Sequence, residues 1–397
     1  MTAAATVVGL TDRFMVGNYA RFPVAFVRGE GRRLWDESGK RYLDFFSGLG
    51  VSSLGHGHPG LVAAIRDQAT KLLHASNLYY QEPAALLARE LVERSFADRV
   101  FFCNSGTEAV EAAIKMARRA DPDRHEIVAT LGSFHGRTLG ALAATGQPAL
   151  KEGFGPLPGG FVHVPFDDVA AMDAAVGPRT AAVIVEPILG EGGVVVPDPG
   201  YLPALREVCD RAGALLVIDE VQTGVGRTGK FYAHEIFGVS PDIVASAKGL
   251  AGGLPIGAVL ATESACSALV PGSHGSTFGA NPLVCRAALA VLESFDDEAI
   301  LDNCVVQGRR LMAGLEELCG GRDDIVALRG LGLMIGVEFA CSTRPLVLAA
   351  LDRGLILNST AGNVLRFLPP LNVTEDEIDE GLEMLATVLE EGYSDEA

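Results

Sequence analysis

Residues 215–231, LLVIDEVQTGVGRTGKF, could hold a phosphate-bearing ligand in more than one way. Gly224, Gly226 and Gly229 have the G-x-G-x-x-G spacing of a dinucleotide site. The glycines together with Lys230 also approach the pattern of a P-loop, and the preceding LLVIDE resembles a metal-holding strand of an ATPase.

Each of the two nucleotide patterns is disfavoured by one feature of the segment. A dinucleotide site begins directly after its strand, whereas here Asp219 and Glu220 come first and would repel a pyrophosphate. Phe231 stands where a P-loop needs a hydroxyl for Mg²⁺. A nucleotide-binding ATPase or dehydrogenase stays open as an alternative of another class.

A lysine further along the chain offers different chemistry. Lys248 follows the apolar run 243–247 and precedes glycine-rich backbone, SAKGLAGGLPIG. A lysine in such a place usually reaches water or pairs with a carboxylate, but a desolvated one suits Schiff-base chemistry with a carbonyl. Because a pyridinium nitrogen needs an anionic partner, Lys248 together with Asp219 indicates pyridoxal phosphate.

Pyridoxal phosphate also needs a phosphate site, and FFCNSGTEAVEAAIKMARR offers one. A strand ends at Cys103, a Ser-Gly-Thr turn follows, and a helix begins. Ser105 and Glu108 are explained by an S-x-x-E capping box alone. The same turn leaves free N–H groups at a helix N-terminus, where the helix dipole favours phosphate.

The elements that must position these residues alternate between strands and helices. Apolar strands are predicted at 100–103, 127–130, 182–186, 215–219, 243–247 and 258–261. Helical periodicity between them predicts a mostly parallel sheet covered on both faces. We predict an α/β fold with a large domain at residues 56–284 and a smaller α+β domain built from residues 1–55 and 285–397.

Composition narrows the range of partners. The chain has 397 residues and a formal net charge of −18, which disfavours a nucleic-acid groove or an anionic membrane surface. Its seven scattered cysteines have no C-x-x-C pair, as expected of reduced thiols in the cytoplasm. No secretory signal or membrane span is visible, so we expect a cytoplasmic enzyme that binds neither nucleic acid nor membrane.

Motifs along nearly the whole chain resemble those of one family. They are GSFHGRT (132–138), EPILGEGGVVVP (186–197), IDEVQTGVGRTG (218–229), AKGLAGGLPIGA (247–258) and HGSTFGANP (274–282), with GLGVSSLGHGHP and GNVLRFLPPLNV nearer the ends. Together they resemble the class III pyridoxal-phosphate aminotransferases of fold type I, and most closely the acetylornithine branch.

The resemblance implies roles around the cofactor. Lys248 would carry the cofactor and shuttle a proton, and Asp219 would keep the ring nitrogen protonated. Val221 and Phe134 would cover the two ring faces, and Gln222 would reach the ring hydroxyl. The expected phosphate contacts are Ser105, Gly106, Thr107 and, from the neighbouring subunit, Thr277. That last contact implies a homodimer with a shared active site.

The resemblance also implies a substrate site. Arg366 would bind the α-carboxylate of glutamate or 2-oxoglutarate, and Glu191 would neutralise Arg366 when the amino donor is bound. Arg137 would hold the carboxylate at the other end, with Tyr19 beside it, and Ser276 would touch the substrate. Leu189 departs from the family, which commonly has glutamine there, and this leaves the surroundings of Glu191 less polar.

The implied reaction moves the terminal amine of N-acetylornithine to 2-oxoglutarate, giving N-acetylglutamate semialdehyde and glutamate in arginine biosynthesis. Succinylornithine, succinyldiaminopimelate, ornithine and 4-aminobutyrate remain alternative donors, because the acyl group is recognised by pocket shape. His56 and His58, in GHGHP, have no further ligands in the pattern, and we predict no metal site.

Overall fold

The computed structural model describes residues 6–392, so the outer ends of the predicted smaller domain lie outside the described residues. The N-terminal part contains three consecutive antiparallel strands. Its elements are α1 (Val7–Phe14), β1 (Phe26–Glu30), β2 (Arg33–Asp36), β3 (Arg41–Asp44) and the single turn α2 (Ser47–Gly50).

The central part alternates strands and helices as predicted. Its elements are α3 (Pro59–Lys71), α4 (Glu82–Glu93), β4 (Arg99–Cys103), α5 (Gly106–Ala120), β5 (Glu126–Thr130), α6 (Leu139–Ala144), β6 (Phe161–Val164), α7 (Val169–Ala175), β7 (Thr180–Val185), α8 (Tyr201–Ala212), β8 (Leu215–Asp219), β9 (Ile243–Ser246), β10 (Gly257–Ala261) and α9 (Glu263–Cys266). Strand β6 was not predicted, because its FVHV sequence is short and interrupted by a histidine.

These strands form one seven-stranded sheet in the order β4-β10-β9-β8-β7-β5-β6. Strand β10 is antiparallel to both β4 and β9, and the other pairs are parallel. Six of the seven strands therefore run the same way, which confirms the mostly parallel sheet. Their carboxyl ends share one edge, where parallel α/β sheets bind their ligands.

Burial explains why these strands were readable from the sequence. Every residue of β7, β9 and β10 is buried, because helices cover both faces of the sheet. Strands buried on both faces consist of continuous apolar runs rather than alternating ones.

The C-terminal part completes two smaller sheets. Its elements are α10 (Pro282–Asp297), α11 (Ile300–Cys319), β11 (Ile325–Leu331), β12 (Met334–Phe339), α12 (Arg344–Asp352), β13 (Leu355–Ile356), β14 (Asn358–Thr360), β15 (Val364–Phe367) and α13 (Glu375–Glu391). One sheet has the order β11-β12-β15-β14 and is antiparallel. A capping box formed by Thr374 and Glu377 starts α13.

The remaining sheet joins distant parts of the chain. Its order is β1-β2-β3-β13, and β13 pairs in parallel with β3. Ion pairs support the junction, since Arg32 Nε lies 2.7 Å from Glu377 Oε2 and Arg33 also pairs with Glu380. The domain limits at residues 55 and 284 stay a prediction. Between residues 6 and 392, none of the helices has the length and apolarity that crossing a membrane requires.

Candidate active site

A cavity of about 460 Å³ lies at the carboxyl edge of the large sheet. Loops after β4, β5, β7, β8 and β9 line it, and the turn that leads into β10 closes one side. The predicted site residues that line it are Ser105, Gly106, Thr107, Phe134, Arg137, Glu191, Asp219, Val221, Gln222 and Lys248. Residues far apart in sequence therefore meet where the topology brings the strand ends together.

Asp219 ends β8 with both carboxylate oxygens engaged. Oδ2 lies 2.7 Å from His135 Nδ1, and Oδ1 accepts a hydrogen bond from the backbone N–H of Val221 at 3.1 Å. Because a carboxylate only accepts, the Nδ1–H of His135 donates. Both side chains are buried, so the cavity has a fixed anion in its wall.

Glu220 is adjacent in sequence but does not line the cavity. Its Oε2 accepts a 2.5 Å hydrogen bond from Thr223 Oγ1, and its Oε1 accepts one from the backbone N–H of His234 at 2.8 Å. The side chain is fully buried. Of the two consecutive carboxylates, one therefore faces the cavity and the other holds the following loop together.

The glycine-rich stretch after Glu220 packs against protein. Gly226 has φ +84°, and a Cβ atom there would lie 2.5 Å from Phe295 Cε1. Gly229 has φ +91°, and a Cβ atom would lie 2.7 Å from Val305 Cγ2. No α-helix begins between β8 and β9 in the described chain. The helix N-terminus that both nucleotide patterns require is therefore missing, and their match is accidental.

Lys248 follows β9 in a strained position, with φ +39°. Burial lowers its pKa to about 8, while the negative charge of Glu191 acts in the opposite direction. A lysine with such a pKa keeps an appreciable neutral fraction near neutral pH, and the neutral amine is the nucleophile.

The turn after β4 presents a helix N-terminus to the cavity. Ser105 caps α5, and its Oγ accepts the backbone N–H of Glu108 at 3.3 Å. The Glu108 carboxylate departs from the predicted capping box, because it accepts the backbone N–H of Asn104 instead. A Cβ atom at Gly106 would lie 2.7 Å from Val221 Cγ1, so only glycine allows this approach.

Arg366 lies in β15 with 1% of its surface exposed. Its Nη1 is 2.7 Å from Glu191 Oε1 and 3.0 Å from Gln222 Oε1, and its Nη2 donates to Asn358 Oδ1 at 2.6 Å. Burial acts to raise the pKa of Glu191, but the charges of Arg366 and Lys248 outweigh it, and the pKa is lowered. The Glu191 carboxylate is therefore ionised beside the Arg366 guanidinium.

Leu189 does not disturb this pair. Its side chain is buried, and a Cβ atom at Gly132 would lie 3.2 Å from its Cδ1. Leu189 therefore packs against the loop after β5, while Glu191 stays in contact with Arg366.

In the described part of the chain, three of the predicted site residues do not line this cavity. Ser276 and Thr277 line a separate cavity of about 330 Å³ that shares Asn104 with the first. Tyr19 is 69% exposed, with the Arg21 guanidinium 5.4 Å from its ring centre, and it does not line the main cavity. Arg137 does line it, with its guanidinium 5.5 Å from the Phe134 ring centre.

Sequence reasoning missed other residues of the site. His135 was given no chemistry, because its partner Asp219 is 84 positions away. Asn358 also lay outside every motif. Glu186 was read as the end of a strand, yet it lines the cavity. Burial raises the pKa of Glu186 to about 7, with His135 acting against this and Asp219 adding to it.

The two histidines of GHGHP serve separate structural roles. His56 Nε2 lies 2.8 Å from Asp44 Oδ2, and His58 Nε2 lies 2.7 Å from Glu298 Oε1. Within residues 6–392, no three His, Cys, Asp or Glu side chains are grouped so that they could hold a metal ion.

A mostly parallel sheet whose carboxyl edge combines a desolvated lysine, a buried aspartate and a helix N-terminus defines the fold type I pyridoxal-phosphate enzymes. The family model for class-III aminotransferases matches residues 14–389, so the chain belongs to that family.

Proteins of known name match this chain along almost its full length. The chain is 48% identical to the acetylornithine aminotransferase of Caldanaerobacter subterraneus subsp. tengcongensis, covering 96% of this chain and 98% of that protein. It resembles the ornithine aminotransferase of Toxoplasma gondii, described with PLP at its active site, with a TM-score of 0.92, 35% identity and 96% and 93% coverage. For the N-acetylornithine aminotransferase of Stenotrophomonas maltophilia the TM-score is 0.84, the identity 36% and the coverage 97% and 99%.

Members of this family depend on pyridoxal phosphate, and the cavity fits that cofactor. Its volume of about 460 Å³ has room for a pyridine ring and a small substrate. The start of α5 at Gly106 lines the cavity and offers a helix N-terminus to a phosphate, and Asp219 offers an anion to a ring nitrogen. Lys248 supplies an amine to the same cavity.

Proposed function

We propose that this chain transfers the terminal amine of N-acetylornithine to 2-oxoglutarate, giving N-acetylglutamate semialdehyde and glutamate in arginine biosynthesis. The 48% identity to an acetylornithine aminotransferase over 96% of the chain carries this proposal. We place the reaction in the cytoplasm, where the scattered cysteines are expected to stay reduced.

Each proposed catalytic role belongs to a residue that lines the cavity. The chemistry that pyridoxal phosphate supplies when bound is an aldehyde for the amine and a ring that withdraws electrons. Lys248, with its pKa lowered to about 8, would hold the cofactor and move a proton at Nζ. Asp219, oriented by His135, would hold a proton on the ring nitrogen. Phe134 and Val221 would exclude water from the ring faces.

Two arginines suit substrates that carry carboxylates. Arg366 already pairs with Glu191 at 2.7 Å, so its charge is neutralised while an uncharged donor end is bound. The α-carboxylate of 2-oxoglutarate would displace Glu191 and form a bidentate pair with Arg366. Arg137, whose guanidinium lies 5.5 Å from the Phe134 ring centre, would hold the remaining carboxylate.

A homodimer is part of the proposal. The neighbouring side chains of Leu78 and Tyr79 are 87% and 71% exposed. Adjoining apolar side chains on the surface of a monomer are usually less exposed than this. Asn77 ties their loop to the loop of Thr277, donating to the carbonyl oxygens of Ser276 and Gly279 at 3.1 and 2.9 Å. A second copy would cover both loops, and Thr277 of one subunit would reach the phosphate held by the other.

The absorption spectrum of the purified protein tests donor and cofactor together. We expect a yellow band that bleaches when N-acetylornithine is added without a keto acid, and returns when 2-oxoglutarate follows. Ornithine, succinylornithine, succinyldiaminopimelate and 4-aminobutyrate serve as competing donors in the same assay. A band that responds faster to one of these would overturn the choice of donor and leave the aminotransferase assignment standing.

A further inference from the structure

Glu186 connects two loops of the cavity. It follows β7 and is 5% exposed. Its Oε1 accepts the backbone N–H of Phe134 at 2.8 Å, and its Oε2 accepts the backbone N–H of Gly190 at 3.0 Å. Phe134 lies in the loop after β5 and Gly190 in the loop after β7. Each loop uses a different oxygen, so the side chain needs both oxygens as acceptors.

The two loops carry different parts of the site. The first carries the Phe134 ring, which lines the cavity. The second carries Glu191 directly after Gly190, and Glu191 pairs with Arg366. Gly190 also packs closely, since a Cβ atom there would lie 2.6 Å from Gln222 Oε1. A movement of Glu191 therefore acts on backbone that Glu186 holds.

The surroundings of the Glu186 carboxylate disfavour its charged form. Among the ion pairs of the described residues, none includes Glu186, and the titratable groups that face it are His135, Asp219 and Lys248. A buried carboxylate without a cationic partner lowers the stability of a fold unless its hydrogen bonds compensate. The pair of backbone hydrogen bonds is the compensation that the structure offers.

We propose that Glu186 is a positioning residue that couples the two loops, so that displacement of Glu191 by a bound dicarboxylate is transmitted to Phe134. This transmission depends on the gating role proposed above for Glu191. The hydrogen bonds from the Phe134 and Gly190 amides to Glu186 do not depend on that role.

Hydrogen–deuterium exchange of the holoenzyme, resolved to single amides, tests the coupling. The pH is set well above 7, because Glu186 has a pKa of about 7 and must be ionised. Glutarate serves as the probe, since it is a dicarboxylate without a keto group to react. In the wild type we expect glutarate to change the protection of both the Gly190 and the Phe134 amides.

Glu186→Gln is the decisive variant, because a glutamine has one acceptor oxygen and keeps only one of the two hydrogen bonds. We expect the protection of at least one of the two amides against exchange to fall by about tenfold. This factor corresponds to the loss of one hydrogen bond to a charged group. Glutarate should then no longer alter the Phe134 amide. The KM for 2-oxoglutarate should rise more than kcat falls.

Glu111→Gln is the matched control. Glu111 also accepts two backbone N–H groups, from Gly140 and Ala141 at 2.9 and 3.1 Å, but both bonds go to Oε1, which glutamine retains. This variant should leave the Phe134 and Gly190 amides unchanged.

An unchanged pair of amides in Glu186→Gln would overturn the coupling, as would a Phe134 amide that ignores glutarate in the wild type while Gly190 responds. If neither amide responds in the wild type, the transmission proposed here is wrong and so is the gating by Glu191. The donor assignment is unaffected, because it rests on the spectral assay. The wild-type comparison remains decisive even where Glu186→Gln does not fold.

Discussion

The turn after β8 has two sides that differ in what they contact. Asp219, Val221 and Gln222 line the cavity. Glu220 and the glycines that follow it are turned toward the interior, where Gly226 meets Phe295. Residues that are consecutive in sequence therefore belong to two regions, which we call the cavity side and the packed side.

The difference shows what a glycine pattern means. On the packed side the glycines allow neighbouring groups to approach closely, and Gly226 and Gly229 also have positive φ values, which favour glycine. The shorter Ser105-Gly106-Thr107 turn has no nucleotide pattern, yet it opens α5 toward the cavity. A phosphate site depends on a helix N-terminus rather than on glycine spacing.

The largest effect is expected from Lys248, on the cavity side. Lys248→Ala should lower kcat by roughly 10⁴-fold, because proton transfer at Nζ and attachment of the cofactor are both lost. Lys230→Ala is the control, since Lys230 completes the P-loop pattern but is exposed. Steady-state rates should be near normal for this control. Substantial turnover by Lys248→Ala would remove the lysine from the mechanism.

The adjacent carboxylates separate the two sides directly. Asp219→Asn should lower kcat by about 10²–10³-fold, because the amide cannot hold a proton on the ring nitrogen. Glu220→Gln should keep its activity but lose roughly 1–3 kcal/mol of stability, because the acceptor of the Thr223 and His234 hydrogen bonds is weakened. Activity loss in Glu220→Gln at full stability would contradict the division.

Two glycines extend the comparison. Gly226→Ala should cost roughly 1–3 kcal/mol in the free energy of unfolding, since the added methyl group meets Phe295. Gly106→Ala should instead weaken cofactor affinity by about tenfold or more, since its methyl group meets Val221 beside the phosphate site. Urea titration and cofactor titration measure the two effects. Equal loss of cofactor affinity in both variants would show that the packed side also binds phosphate.

The pKa of Lys248 gives a prediction that needs no mutation. If, as proposed, the neutral amine of Lys248 captures the cofactor, recombination of the apoenzyme with pyridoxal phosphate should speed up about tenfold per pH unit below the pKa. The rate should level off above pH about 8, where Lys248 is mostly neutral. Stopped-flow absorbance measures the profile. A rate that continues to rise toward pH about 10 would indicate an ordinary lysine.

The sequence predicted six of the seven strands of the large sheet because each contains an apolar run that ends at a turn. Strand β6, with His163 in FVHV, gave no such signal. Lys248 and Asp219 stood out because charged residues end apolar strands. His135 and Glu186 did not, because their partners come from other loops and only the assembled edge brings them together.

The pairing of β13 with β3 has a consequence for how the protein is made. Arg32 and Glu377, which join across the same junction, are 345 positions apart. On the ribosome, the N-terminal strands are finished long before the segment that completes their sheet has been translated. The large sheet, whose strands all lie between these two segments, can fold first. The N-terminal strands must then wait with an open edge, so we expect this protein to depend on chaperones until translation ends.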